Sequence, residues 1–271
     1  MCTTCGCSAT DEITIKKPGE TDSIVKKIEI ENHLGHHDHS HDHDHSHHQH
    51  DHHHHEKTII EIEQDILQSN QLLAERNRGY FLGKNIFAIN LVSSPGSGKT
   101  SLLEKTLSDL KSEIDFYVIE GDQQTMNDAD RIDLLKIPVV QVNTGKACHL
   151  DSDMVNNAVL KLKPAANSIV MIENVGNLVC PSMFDLGENS RVVIISTTEG
   201  DDKPIKYPDM FAGSNVCIIN KIDLLPYVNF DVEKAKAYAK QVNPDLEFFE
   251  VSATTGEGID QWYNWLKSKI S

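Results

Sequence analysis

Nowhere in the 271 residues do about 18 apolar residues run together, so no segment reads as a membrane-spanning helix. The stretch Met1 to Thr10 lacks the basic-then-apolar order of a secretory leader, and a cytoplasmic location is expected. Positive charge is scarce: 25 Lys and Arg stand against 41 Asp and Glu, a formal charge of -16 with no Lys/Arg-rich stretch. Nucleic acid and anionic membrane are therefore poor partners, and small ligands or proteins better ones. Cysteine is sparse as well. Of the six, three fall within Cys2 to Cys7, too close together to staple a fold, which leaves metal binding or redox chemistry for them. The 39% hydrophobic content is enough for a core, in a length that suits one large domain or two small ones.

Composition separates a tail over 1–32, a histidine tract over 33–56 and a mixed sequence beyond, and only the last reads as folded. Ile59, Ile62, Ile66, Leu67, Leu72 and Leu73 recur at helical spacing, which predicts a lead-in helix within 57–80 that runs to about Arg78 and is closed by Gly79. Over 81–271, apolar runs alternate with helical patterns. Ile86 to Val92, Phe116 to Ile119, Val139 to Val142, Ile169 to Ile172, Val192 to Ile195, Val216 to Ile219 and Phe248 to Val251 read as seven buried strands. The alternation predicts an α/β fold, a mostly parallel seven-stranded sheet with helices on both faces. Ligands of such sheets sit beyond the carboxyl ends of the strands, so the loops there are the place to seek chemistry.

The first of those loops is Ser93-Ser94-Pro95-Gly96-Ser97-Gly98-Lys99-Thr100, and a helical pattern opens at Ser101. This is a Walker A loop: backbone N–H groups wrap phosphates, Lys99 reaches the β/γ oxygens and the Thr100 hydroxyl ligates Mg²⁺. Ser93 stands where the usual pattern has Gly, but the strand, loop and helix context is intact and Gly96 and Gly98 supply the permissive backbone. Asn220-Lys221-Ile222-Asp223, after a later strand, matches guanine recognition. A carboxylate at Asp223 accepts two N–H bonds from guanine, whereas adenine would leave the charge unpaired. Lys221 packs over the base, and Val251-Ser252-Ala253 ends the next strand as a further GTPase feature. Two acids remain for the Mg²⁺ and water site. Asp122, in Glu120-Gly121-Asp122 after the second strand, is assigned to a switch, and Glu173 to the Walker B position; helix capping or plain solvation is the alternative for each. No arginine finger presents itself, since Arg131 and Arg191 read equally well as surface charges, so slow intrinsic turnover is expected.

Cys148-His149 and Cys180-Pro181 both fall in loops at the nucleotide end of the sheet. Two thiolates and an imidazole suit Ni²⁺ or Zn²⁺ and leave an incomplete shell for a partner subunit or water. Either cysteine alone would read as a small buried hydrophobe, and Cys217, in mid-strand, does so. Cys2, Cys5 and Cys7 form a second candidate. With Met1 removed, the new amine and three thiolates can lie in a plane, a geometry open to Ni²⁺; a redox CxxC is the competing reading, without the fold that usually carries one. Fourteen of the fifteen histidines stand between His33 and His55, interleaved with Asp38, Asp42, Asp44 and Asp51. Such a tract cannot bury a core and is expected to be disordered, with loose binding of several Ni²⁺ ions as its use and an idle linker as the alternative.

These motifs together resemble the HypB family, the GTPases that incorporate nickel into hydrogenase. The resemblance rests on Cys2-x-x-Cys5-Gly6-Cys7, the His tract, Ser94 to Thr100, Cys148-His149, Glu173-Asn174-Val175-Gly176-Asn177-Leu178-Val179-Cys180-Pro181, and Asn220-Lys221-Ile222-Asp223. It implies a P-loop NTPase of the SIMIBI type, a GTP-dependent homodimer with metal at its interface, a HypA-type nickel accessory protein and a hydrogenase large-subunit precursor as partners, and GTP, Mg²⁺ and Ni²⁺ as ligands, with Zn²⁺ an alternative at the inner site. The urease-type nickel GTPases are the nearest other family, but they are expected to carry a Cys-Pro-His motif, and here Cys148-His149 is separate from Cys180-Pro181. A nickel buffer without required GTP turnover is the non-enzyme alternative.

Overall fold

The structure, a computed structural model, describes residues 13–20, 59–122 and 127–270. The Cys2, Cys5, Cys7 motif and the 33–56 histidine tract lie outside them. Eight strands form one sheet: β1 (Thr14–Lys16), β2 (Phe87–Ser93), β3 (Phe116–Asp122), β4 (Val139–Asn143), β5 (Ile169–Glu173), β6 (Ser190–Ser196), β7 (Val216–Asn220) and β8 (Glu247–Glu250), in the order β1-β4-β3-β5-β2-β6-β7-β8. All neighbours pair parallel except β1, which runs antiparallel along β4. The helices are α1 (Ile59–Gly83), α2 (Lys99–Leu110), α3 (Asn127–Leu134), α4 (Ser152–Leu162), α5 (Lys203–Lys206), α6 (Pro208–Ala212), α7 (Val232–Val242) and α8 (Ile259–Lys267).

Strand alternation divides the core between two faces. Ile89, Leu91, Val192, Ile194, Val216 and Ile218 point to the face covered by α2, α3 and α8, where Leu103, Leu107, Ile132 and Trp262 meet them. On the opposite face Ala88, Val140, Val170 and Ile172 pack under α4 and the end of α1, while Val193, Ile195, Cys217 and Ile219 pack under α6 and α7. Cys217 is completely buried, and burial pushes its thiol far above the ordinary range, so it is a packing residue.

Two expectations need correction. The sheet has eight strands, because Thr14–Lys16, read as tail, adds an edge strand that buries Ile15 to 1% exposure. Three residues are too few for a periodic signal, and this strand is held by β4 pairing and by Lys161, whose Nζ donates to the Ile15 carbonyl at 2.8 Å. The lead-in helix does not stop at Arg78 and Gly79. It continues to Gly83 because Phe81, at 1% exposure, reaches the core beneath α4, and that burial outweighs the weak helix propensity of glycine. Gly79 therefore sits on the exposed side of a helix interior, with open space where a Cβ would stand. Substituting Gly79→Ala is expected to stabilise the chain by about 0.5–1 kcal/mol. Denaturant unfolding checks it: a loss of stability would mean that Gly79 terminates the helix after all.

Candidate nucleotide and metal site

The β2–α2 junction forms a cradle. Gly96 and Gly98 take φ of +78° and +89°, and α2 opens at Lys99 without a side-chain cap, so its first N–H groups face outward. A Cβ at Gly98 would stand 2.5 Å from Asn220 Nδ2, which glycine alone avoids. Ser93, in place of the usual Gly, is accommodated, its hydroxyl donating to the Ser94 carbonyl at 2.9 Å. The resulting cavity, about 340 Å³, is lined by Ser93 through Ser101 with Gly176 and Lys221. Ser94 has further partners that the motif does not announce: its hydroxyl donates to Glu199 Oε2 at 2.6 Å, and Lys203 Nζ donates back to it at 3.2 Å. Glu199 lies in the loop after β6, which neighbours β2 in the sheet, and Lys203 opens the helix α5 that follows it. A charged run at the carboxyl end of a central strand was the available signal.

At the floor stands Glu173, the last residue of β5 and wholly buried. Its Oε1 accepts from Lys99 Nζ and from Thr100 Oγ1, each at 2.6 Å. Burial pushes this carboxyl up, but the Lys99 ammonium and the hydrogen bonds from Lys99 and Thr100 outweigh it and hold it below the usual carboxylate range. Glu173 Oε2 is buried without a hydrogen-bond partner. A hydroxyl and a carboxylate converging with a spare buried oxygen are the hard oxygen set that Mg²⁺ takes, so the residues fit that ion. Glu120, at 2% exposure, lies directly opposite Glu173 in the parallel register, whereas the sequence points within Glu120-Gly121-Asp122 to Asp122 alone. An acid ending the apolar run Tyr117-Val118-Ile119 was the signal that could have found it. The Glu120-Gly121-Asp122 segment also belongs to β3 itself rather than to the loop after it, since its backbone pairs on with Gln141 to Asn143 of β4. Asp122 is half-buried at the end of that strand.

The segment Asn220 to Asp223 ties three loops together. Asn220 Nδ2 donates to the Ser97 carbonyl at 3.0 Å, and its Oδ1 accepts from Lys221 N at 2.8 Å and Ala253 N at 3.2 Å. Lys221 adopts a left-handed φ of 63° and lays its Nζ on the Gly96 carbonyl at 2.6 Å. The completely buried Ser252 accepts from Thr255 N at 3.0 Å, which shapes the turn behind Ala253. Asp223 Oδ1 is buried and has no partner. A desolvated carboxylate oxygen costs energy unless a donor arrives, and the N–H edge of guanine supplies two.

Cys148, His149 and Cys180 converge as well, with ligand atoms within 4.8 Å of one another. Cys148 Sγ and His149 Nδ1 are 4.0 Å apart, and the His149 ring stacks on Phe184 with centroids 4.0 Å and planes 24° apart. His149 and Cys180 are each 4% exposed, while Cys148 is half-exposed. Cys180 opens a short 3-10 turn, Cys180–Met183, at the end of the loop that leaves Glu173. Of the two arginines read as surface charges, Arg131 is half-exposed and pairs with Glu104. Arg191 is not a surface charge: it is 7% exposed, paired with Glu188 under the Cys180 turn.

Residues 87–250 match the family described as CobW/HypB/UreG, nucleotide-binding domain. Over 214 residues the chain is 55% identical to the hydrogenase maturation factor HypB of Escherichia coli (strain K12), an alignment that takes in 79% of this chain and 74% of that one. The chain belongs to the HypB family. Solved HypB structures agree in fold. The hydrogenase maturation factor HypB from Archaeoglobus fulgidus has 39% identity and a TM-score of 0.71 over 75% of this chain and 100% of its own. HypB from Helicobacter pylori in complex with nickel has 38% identity and a TM-score of 0.70 over 74% and 95%. The stretch matching the nucleotide-binding domain contains the phosphate cradle, Asp223 and all three converging metal-type ligands of this HypB-family chain. Asp223→Asn, which replaces an acceptor-only group with one that repels a guanine N–H, is expected to weaken GDP binding by about 30-fold, or roughly 2 kcal/mol. Titration with a fluorescent guanine nucleotide measures this, and unchanged affinity would place base recognition elsewhere.

Proposed function

We propose that this chain is a GTP-hydrolysing nickel metallochaperone, one that delivers or stores Ni²⁺ for assembly of the [NiFe]-hydrogenase active site. The observation that carries the reading is the joining of the two sites by one short segment. Glu173, which holds Lys99 and Thr100, is followed directly by the loop that reaches Cys180, and Gly176 within that loop lies against Pro95 of the phosphate cradle. A Cβ at Gly176 would meet Pro95 Cα at 3.3 Å. Rearrangement around the γ-phosphate therefore has a physical route to the ligand set of the metal.

In this reading Ser94 to Ser101 bind the phosphates, and Asn220, Lys221, Asp223, Ser252 and Ala253 hold the base. Mg²⁺ is held by Thr100 and Glu173 with Asp122 as the switch residue. Lys99 neutralises phosphate charge. Hydrolysis is slow without a donated arginine. Cys148, His149 and Cys180 hold Ni²⁺, with Zn²⁺ as the competitor that the same donors accept. The nickel complex of the Helicobacter pylori relative supports the choice of metal. Cys2, Cys5 and Cys7 form a further nickel site and His33 to His55 a loose store. A three-ligand cluster with one half-exposed thiol suits a shared site, in keeping with a homodimer, a HypA-type accessory protein and a hydrogenase large-subunit precursor as cytoplasmic partners.

Nickel affinity of a chain carrying Cys2→Ser, Cys5→Ser and Cys7→Ser, measured with GDP and with a non-hydrolysable GTP analogue, is expected to differ by about fivefold or more, the usual scale of coupling between sites. Identical affinities would sink nucleotide control of the metal. Lys99→Ala separates the chaperone from a plain nickel buffer: hydrogenase maturation in cells is expected to fail, and a buffer would still support it.

A further inference from the structure

Beneath the metal-type cluster runs a buried polar chain that neither nucleotide binding nor metal ligation uses. It starts at Arg191, near the beginning of β6. Arg191 Nη1 donates to the Ser182 carbonyl at 3.2 Å and Nη2 to the Phe184 carbonyl at 2.9 Å, so one guanidinium grips both ends of the backbone just past Cys180. Phe184 is the residue whose ring stacks on His149. The Arg191 charge is balanced by Glu188, whose Oε1 lies 3.2 Å from Arg191 Nε. Both side chains are below one-tenth exposed.

Glu188 continues the chain across the sheet. Its Oε2 accepts from Leu186 N at 2.8 Å, and Oε1 accepts from Asn90 Nδ2 at 3.1 Å. Because an ionised carboxylate only accepts, Asn90 must turn its amide N–H₂ toward it and its oxygen away. That oxygen accepts from Asn174 Nδ2 at 3.3 Å, which leaves Asn174 Oδ1 for the backbone N–H of Leu150 at 3.0 Å. Leu150 follows His149. Asn90 and Asn174 are 0% and 1% exposed, so each of these bonds lies in a low-dielectric interior where loss of a partner is costly. The direction of every bond is thus dictated from Glu188 outward. The chain ends on the two loops that carry the cluster, Cys180 on one and Cys148-His149 on the other.

We propose that Arg191, Glu188, Asn90 and Asn174 are positioning residues that set the spacing of Cys148 and His149 against Cys180, and so set the metal affinity of that cluster. The inference rests on the metal-binding reading of the three ligands. Supporting groups around metal ligands typically matter by about 10–100-fold in affinity. Removing Arg191 alone would strand a buried carboxylate and could unfold the chain, so the pair is neutralised together as Arg191→Met with Glu188→Gln. Asn174→Ala breaks the opposite end.

The test uses the full chain with Cys2→Ser, Cys5→Ser and Cys7→Ser as parent, titrated with Co²⁺. Cysteine-to-cobalt absorption in that parent reports the inner cluster, because Cys217 is sealed in the core. Both variants are expected to lose about tenfold or more in Co²⁺ affinity, while the Arg191→Met, Glu188→Gln chain binds GDP within about twofold of the parent. If the parent binds and both variants retain its affinity, or if metal and GDP affinity fall together, the positioning role is wrong. If the parent shows no such absorption, the metal reading fails and takes this inference with it.

Discussion

The buried Glu173 carboxylate is the constraint around which the rest of the site is arranged. A fully desolvated charge at the end of a central strand cannot stand alone, and here Lys99 and Thr100 from the first turn of α2 meet the same oxygen. That requirement locks β5 to the β2–α2 junction and fixes where the phosphate cradle sits relative to the sheet. It also sets the starting point of the 174–179 loop. Everything that follows Glu173 in sequence, up to Cys180, leaves from a point pinned by Lys99 and Thr100.

From that point two kinds of order diverge. On the nucleotide side, polar groups are left open toward a ligand: an uncapped helix N-terminus, a spare Glu173 oxygen, and the unpartnered Oδ1 of Asp223. Such groups cost stability in the empty protein and gain it on binding. On the metal-type side the neighbouring backbone is firmly held. Asn174 holds Leu150, Asn177 Oδ1 accepts from Val179 N, and Arg191 grips the carbonyls of Ser182 and Phe184. The cluster therefore rests on a hydrogen-bonded support that one short loop, 174–179, joins in sequence to Glu173. Gly121 adds a second contact between the sites, since the strand carrying Glu120 packs so closely on Leu150 that a Cβ there would stand 2.8 Å from its side chain.

Local pattern carried most of the architecture because buried parallel strands declare themselves as apolar runs, here of four to seven residues. Every strand from β2 to β8 lies within or beside an expected run. Where the reading failed, the deciding contacts were distant in sequence. Thr14–Lys16 becomes a strand only because β4 offers an edge 125 or more residues away. The helix passes through Gly79 because Phe81 finds a core built largely from α4 and the neighbouring strands.

The nucleotide motifs are legible in the sequence by themselves: a phosphate loop needs its glycines and lysine at fixed offsets, and a guanine-recognition motif needs its carboxylate just beyond a strand, so both patterns are written locally. That Cys148, His149 and Cys180 share one end of the sheet could also be inferred from strand order in the chain. Tertiary structure alone decided that their ligand atoms approach within 4.8 Å. It alone decided that Glu120 faces Glu173, and that Glu199 and Lys203 reach Ser94. Arg191 shows the difference most plainly. In sequence it is one cation among 25 Lys and Arg, and only burial against Glu188 makes it a clamp. The physical reason is that the role of a charge depends on the solvent and partners around it, and those come from residues that the chain brings together only when it folds.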